Sequence, residues 1–127
     1  MAIVDIETAM HHLRADVDDL ADVQLKLDAA VEVAEQYIGK RIYADAAEAR
    51  TARLQATIDL ETADEHDSYG FVMQSRAIAK NPAIEIAVLI ILGTLYAHRE
   101  DVVVGASVAE LPIAATHRLQ PYRAMGV

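Results

Sequence analysis

The stretch that most limits what this chain can fold into is residues 81–100, NPAIEIAVLIILGTLYAHRE. Asn81 can cap a helix, Pro82 suits the first helical position, where no N–H is needed, and Glu85 lies near the positive end of the helix dipole. A long helix is therefore predicted from about 82 to 99. Its uninterrupted apolar run, Ile86 to Leu92, is seven residues, and it reaches twelve at Ala97 with Gly93 and Thr94 counted. A bilayer needs about 20, so no membrane span is expected. Ile84, Ala87, Val88, Ile91, Leu92 and Leu95 form one stripe, while Ile86, Leu89, Ile90 and Tyr96 reach round the other side. A helix apolar over most of its circumference must be central in a bundle or partly covered by another subunit.

The remaining 107 of the 127 residues (127 − 20) have to supply that cover. Aliphatic side chains dominate, with no Trp and one Phe, so the expected core is helical rather than an aromatic-rich β sandwich. Asp5 is a candidate N-cap for a helix over about 6–14. Asp18 or Asp19 is the candidate cap of a second, in which Leu20, Val23, Leu27, Val31, Ala34 and Ile38 recur at steps of three and four before Gly39 stops it. Residues 44–80 have a different texture: DAAEARTARLQATI forms helix well but offers only Leu54 and Ile58 as large apolar residues, so a weakly buried helix is expected. ETADEHDSYG reads as loop, and FVMQSRAIAK suits either a short helix or extended chain. After Arg99, the β-branched run Val102 to Val104 and Gly105 predict an extended arm or short hairpin over 100–112. Pro112 ends it, a short helix over about 113–120 follows, and QPYR leads to a loose end. The expected architecture is all-α: a single-domain small helical bundle over 1–127, with residues 44–80 as an insertion, a long central helix in the C-terminal half and an extended arm after it.

The chemistry on offer is sparse. Without Cys there can be no disulfide, thiolate metal site or Cys nucleophile. A net charge of −9 opposes tight, sequence-independent nucleic-acid binding. MAIVDIETAM lacks the basic start and apolar run of a signal peptide. In DDLAD, Asp18, Asp19 and Asp22 have the spacing of a magnesium–diphosphate motif, but carboxylates also gather at helix N-termini because of the dipole. His11 and His12 are adjacent, about 100° apart on a helix, and so unable to share a metal as an i, i+4 pair does. The best enzymatic pattern is Glu32 and Glu35 followed by Glu61 and Asp64. It resembles the metal-binding carboxylates of all-helical nucleotide pyrophosphohydrolases, in which facing helices hold Mg²⁺ against a triphosphate. Glu61 to Asp64 falls in expected loop, however, where that chemistry requires helix. No cofactor site and no catalytic residues are assigned.

Two segments, AMHHLRADVDDLADVQLKLDAAVEVAEQYIGKRI and PAIEIAVLIILGTLYAHREDVVVGASVAELPIAATHRLQPYR, resemble the head–tail connector (adaptor) proteins of long-tailed bacteriophages. The matching features are HLR closing the first helix before DVDD, YI closing the second, Tyr96 and Arg99 as Y-x-x-R, the Gly105 arm, and LP followed by a terminal YR. The longer 44–80 segment and Arg118 depart from that pattern. The resemblance implies a non-enzymatic virion component that joins the DNA-filled head to the tail, assembled in the bacterial host cytoplasm. Its implied partners are further copies of itself, in a ring of about twelve, the portal protein, and a head-completion or tail protein, with no sequence-specific nucleic acid and no membrane. The subunit or portal contacts it implies are Leu95, Tyr96, Arg99, Val102, Val103, Val104, Gly105, Val108, Leu119, Tyr122 and Arg123. The Mg²⁺-dependent pyrophosphohydrolase stays as the alternative.

Overall fold

The computed structural model describes residues 3–61, 68–97 and 111–124. The chain is mostly helical, as expected. In order it forms α1 (Ile6–Leu13), a 3₁₀ turn (Val17–Asp19), α2 (Leu20–Ile38), β1 (Ile42–Tyr43), α3 (Ala46–Leu60), α4 (Ser68–Ser75), β2 (Ile78–Ala79), α5 (Pro82–Ala97), α6 (Ile113–Leu119) and a second 3₁₀ turn (Gln120–Tyr122). The arm expected at 100–112 falls, up to residue 110, outside the described residues.

The main core is built around α5. Its Ile84, Ala87, Val88, Ile91, Leu92 and Leu95 are buried, the same stripe its periodicity marks out. They meet Val23, Leu27, Ala34 and Ile38 of α2, Ala9 of α1, and Ala115 and Leu119 of α6 in one apolar cluster. α5 is thus the central helix of the bundle. Each fully buried aliphatic side chain in the cluster contributes roughly 1.5–3 kcal/mol relative to exposure.

The start of α5 follows from NPAIE: the Asn81 side-chain oxygen accepts from Ile84 N at 3.0 Å, its carbonyl accepts from Glu85 N at 2.9 Å, and Glu85 pairs with Lys80 at 2.8 Å. The end of α2 also follows from sequence. Gly39 takes the left-handed conformation at φ 72°, and its N–H and that of Lys40 return to the Glu35 carbonyl. Arg14 ends α1 in the same way at φ 53°, although a side chain makes that conformation costly.

Several local expectations give way. Asp5 precedes α1 with extended backbone but makes no side-chain cap. Asp19 likewise does not cap α2; its carboxylate instead accepts the Tyr96 hydroxyl at 2.8 Å, because the fold brings the last turn of α5 over the first turn of α2. The capping carboxylate is Asp45, which accepts from Glu48 N at 2.8 Å and starts α3. QPYR is followed by the end expected to be loose, of which residues 125–127 lie outside the described residues. QPYR itself forms a 3₁₀ turn, and Ala124 N donates to the Ile38 carbonyl at 2.8 Å, satisfying an acceptor at the end of α2.

The 44–80 segment packs largely on itself. α3 buries only Ala49, Ala52 and Ala56 and leaves Leu54 and Ile58 each 61% exposed, so the weakly buried helix expected there is present. Small side chains allow α3 to lie close to α4, with Ala77 in the same satellite cluster. SYG, expected in loop, begins α4, and FVMQSRAIAK proves to be helix and strand in succession. β2 pairs in parallel with β1, Ile42 opposite Ile78 and Tyr43 opposite Ala79. The Gln74 side chain donates to the Ala52 carbonyl and Arg53 to the Ala77 carbonyl, which binds this unit together.

Candidate functional site: interaction surfaces of the bundle

Among the described residues, the apolar excess of α5 is only partly absorbed. Leu89, Ile90 and Tyr96 are half-buried, and Ile86 keeps 45% of its surface exposed. More apolar surface lies where α5 ends. Tyr96 is held there by Asp19, and on either side of Asp19 stand Val17, 82% exposed, and Leu20, 45% exposed. Ile113, at the start of α6, is exposed too. Val17 and Leu20, open beside the end of α5, make apolar surface of the kind that marks interaction sites where it is contiguous.

The residues expected to make contacts divide into three groups. Leu95 and Leu119 are buried in the protomer core and present no surface of their own, because the inner stripe of α5 and the inner side of α6 face each other. Tyr96, Tyr122 and Arg123 are half-buried at joints between elements. Arg99, Val102, Val103, Val104, Gly105 and Val108 lie outside the described residues.

Arg123 has a partner that the sequence does not announce. Its guanidinium lies over the Tyr37 ring, 4.8 Å from the centroid, while the Tyr37 hydroxyl donates to the Gln120 side chain at 2.6 Å. Tyr37 and Arg123 are far apart in the chain, and the docking of the second 3₁₀ turn and the residues after it on the end of α2 brings them together. Val17, Leu20 and Ile113 are not among the contacts expected from sequence; each sits at a helix boundary, and Leu20, although it opens the apolar repeat of α2, is left 45% exposed.

The acidic motifs are dispersed. In DDLAD, Asp18 is exposed, Asp19 holds Tyr96, and Asp22 pairs with Lys26 one turn on. Of the four carboxylates in the pyrophosphohydrolase pattern, Glu32 is exposed on α2, Glu61 is exposed just past α3, and Asp64 lies outside the described residues. Glu35 is only 8% exposed and has a structural task. The Arg41 and Tyr43 carbonyls accept from Ile78 N and Lys80 N across the sheet, so Ile42 N points to the opposite edge of β1; there Glu35 Oε2 accepts it at 2.9 Å. Arg41 reaches the other carboxylate oxygen at 3.4 Å. Burial pushes the Glu35 carboxyl above its ordinary value of 4.5, against the opposing pull of the Ile42 N–H and Arg41. Among the described residues, no group of three or more His, Asp or Glu side chains is placed to hold a metal ion.

Beside Glu35 lies an open groove of about 890 Å³. α2 contributes Val31 and Glu35, β1 contributes Ile42 and Tyr43, and α3 faces them with Ala47 and Glu48. Ile3 closes one side, and Thr51, Gln55 and Gln74 add polar atoms. The Tyr43 hydroxyl is pushed to a higher pKa by burial first and by the Glu35 charge second. No helix among the described residues is long and apolar enough to cross a membrane.

No protein-family profile, curated protein or solved structure matches this chain.

Proposed function

We propose that this chain is a structural subunit that works by assembly: a head–tail connector of a tailed phage or prophage, forming a ring beneath the portal and joining the filled head to a tail or head-completion protein. The observation that carries this reading is the apolar surface at the end of α5, where Val17 and Leu20 flank the Asp19–Tyr96 hydrogen bond with 82% and 45% of their surfaces open. Exposed valine and leucine oppose solubility, which the net charge of −9 maintains, and covering them with another subunit removes apolar area from water. A closed ring requires a head-to-tail interface, with different patches on the two sides of each copy. Ile86 on the outer side of α5, and Val17 and Leu20 at its end, are separate exposed apolar positions that support such an arrangement. The acidic balance also suits a ring around passing DNA, which it would repel rather than grip.

The test is electron microscopy of the protein mixed with its cognate portal. A ring added beneath the portal is expected, together with a rise in mass by light scattering. Val17→Asp should leave the helical circular-dichroism signal unchanged and abolish the ring. A portal without added density at any protein concentration refutes the proposal.

A further inference from the structure

We propose that the groove between α2, β1 and α3 is a docking cleft for a partner segment that carries a lysine between apolar residues, with the ammonium directed to Glu35 and Glu48 and the flanking side chains to Ile3, Val31 and Ile42. The cleft is distinct from the end patch of α5, and its use does not depend on ring formation. Its volume of about 890 Å³ is large enough for a few side chains, and it is open along its length rather than closed around a small molecule. Its charged lining residues are Glu35 and Glu48, and no Lys, Arg or His lines it; the nearest cations are Arg41, paired with Glu35 at 3.4 Å, and Lys80, which donates to the Ile3 carbonyl at 2.9 Å and pairs with Glu85. Such a site favours a cation and rejects an anionic group, phosphate esters included.

The deeper carboxylate retains capacity to accept. Glu35 is 8% exposed, yet its partners among the described residues are one short bond from Ile42 N at 2.9 Å and one long bond from Arg41 at 3.4 Å. A carboxylate has about four acceptor positions, so two such bonds leave room for a donor arriving from the groove. Charge-assisted bonds of this kind are about twice as strong as neutral ones. Lysine fits better than arginine: its four-carbon stem can lie along Val31 and Ile42 and still deliver a compact charge to a recessed group. Thr51, Gln55 and the Tyr43 hydroxyl supply the neutral polar partners that a peptide backbone crossing the groove requires.

The experiment is an amide-resolved NMR titration of the full chain with acetyl-Leu-Lys-Leu-amide. The matched peptides with Gln or Glu in place of Lys, and hexylammonium chloride, serve as comparisons at equal ionic strength. Expected are saturable shifts at Ile42, Tyr43 and Thr51 for the lysine peptide, affinity about tenfold or more below this for the Gln peptide, and no saturation for the Glu peptide. Glu48→Gln should weaken the lysine peptide to the level of the Gln peptide, whereas Glu7→Gln on α1 should not. Glu35→Gln should weaken it in the same way, and its amide oxygen can still accept from Ile42 N, so the fold should survive. Equal binding of the Lys and Gln peptides overturns the proposal. So does hexylammonium binding as tightly as the peptide, which would make the occupant a free amine. A fall in oligomer mass of Glu48→Gln without peptide would also overturn it, because the occupant would then be a second copy of this chain.

Discussion

Gly93→Ala tests the bundle and the proposed assembly together. Gly93 lies inside α5 on its less buried side, where a helix gains from any side chain that fits. A Cβ built at Gly93 would have His12 Nε2 as its nearest neighbour at 3.9 Å, an ordinary van der Waals separation. Nothing among the described residues therefore demands a glycine here, and the intrinsic preference of about 0.8–1.0 kcal/mol for Ala over Gly should appear almost in full as added stability. For a domain of this size, that corresponds to a rise in Tm of about 3–6 °C. Thermal unfolding followed by circular dichroism, and urea titration at 25 °C, would measure it. If α5 presents this side to a neighbouring subunit at close range, the same methyl group should weaken ring formation with the portal while it stabilises the monomer. A drop in monomer stability would refute the reasoning, because it would mean that another part of the chain already lies against Gly93.

Three further outcomes follow from the geometry. Leu92 is fully buried at the centre of the main cluster, so Leu92→Ala should cost about 3–5 kcal/mol in urea unfolding, the usual cost of a core cavity. Tyr96→Phe removes the hydroxyl that donates to Asp19, and should cost about 0.5–1.5 kcal/mol by the same assay without altering helix content. The Glu35 carboxyl holds its proton more tightly in the folded state than its ordinary value of 4.5, so its contribution to stability is full below that pH and is lost as pH rises through the raised value. Glu35→Gln does not titrate, so its stability relative to the parent should increase from pH 4 towards neutrality. A difference that stays flat or falls over that range would contradict the burial of Glu35.

The sequence determines most of the main bundle because its signals are local or periodic. Asn81 and Pro82 start α5, Gly39 ends α2, and the repeat of Ile84, Ala87, Val88, Ile91, Leu92 and Leu95 gives the buried side without reference to any partner. These features depend on backbone geometry over three or four residues, and tertiary packing only has to accept them. The candidate functional surfaces are less legible. Val17 belongs to no apolar stripe, and Leu20 reads as the first residue of the α2 stripe yet stays 45% exposed; the two flank Asp19, to which the fold brings the end of α5.

What the tertiary structure alone decides is the use of each polar group. Asp19 stands where a cap belongs but serves Tyr96, 77 positions away. Glu35 fits a metal-binding pattern, yet it seals the outer edge of a two-residue strand whose partner lies beyond two intervening helices. Arg123 ends on the Tyr37 ring because the chain that follows α6 docks on the end of α2. A buried carboxylate or guanidinium must take whatever donor, acceptor or ring the fold brings within reach, and local sequence carries no record of which one that is.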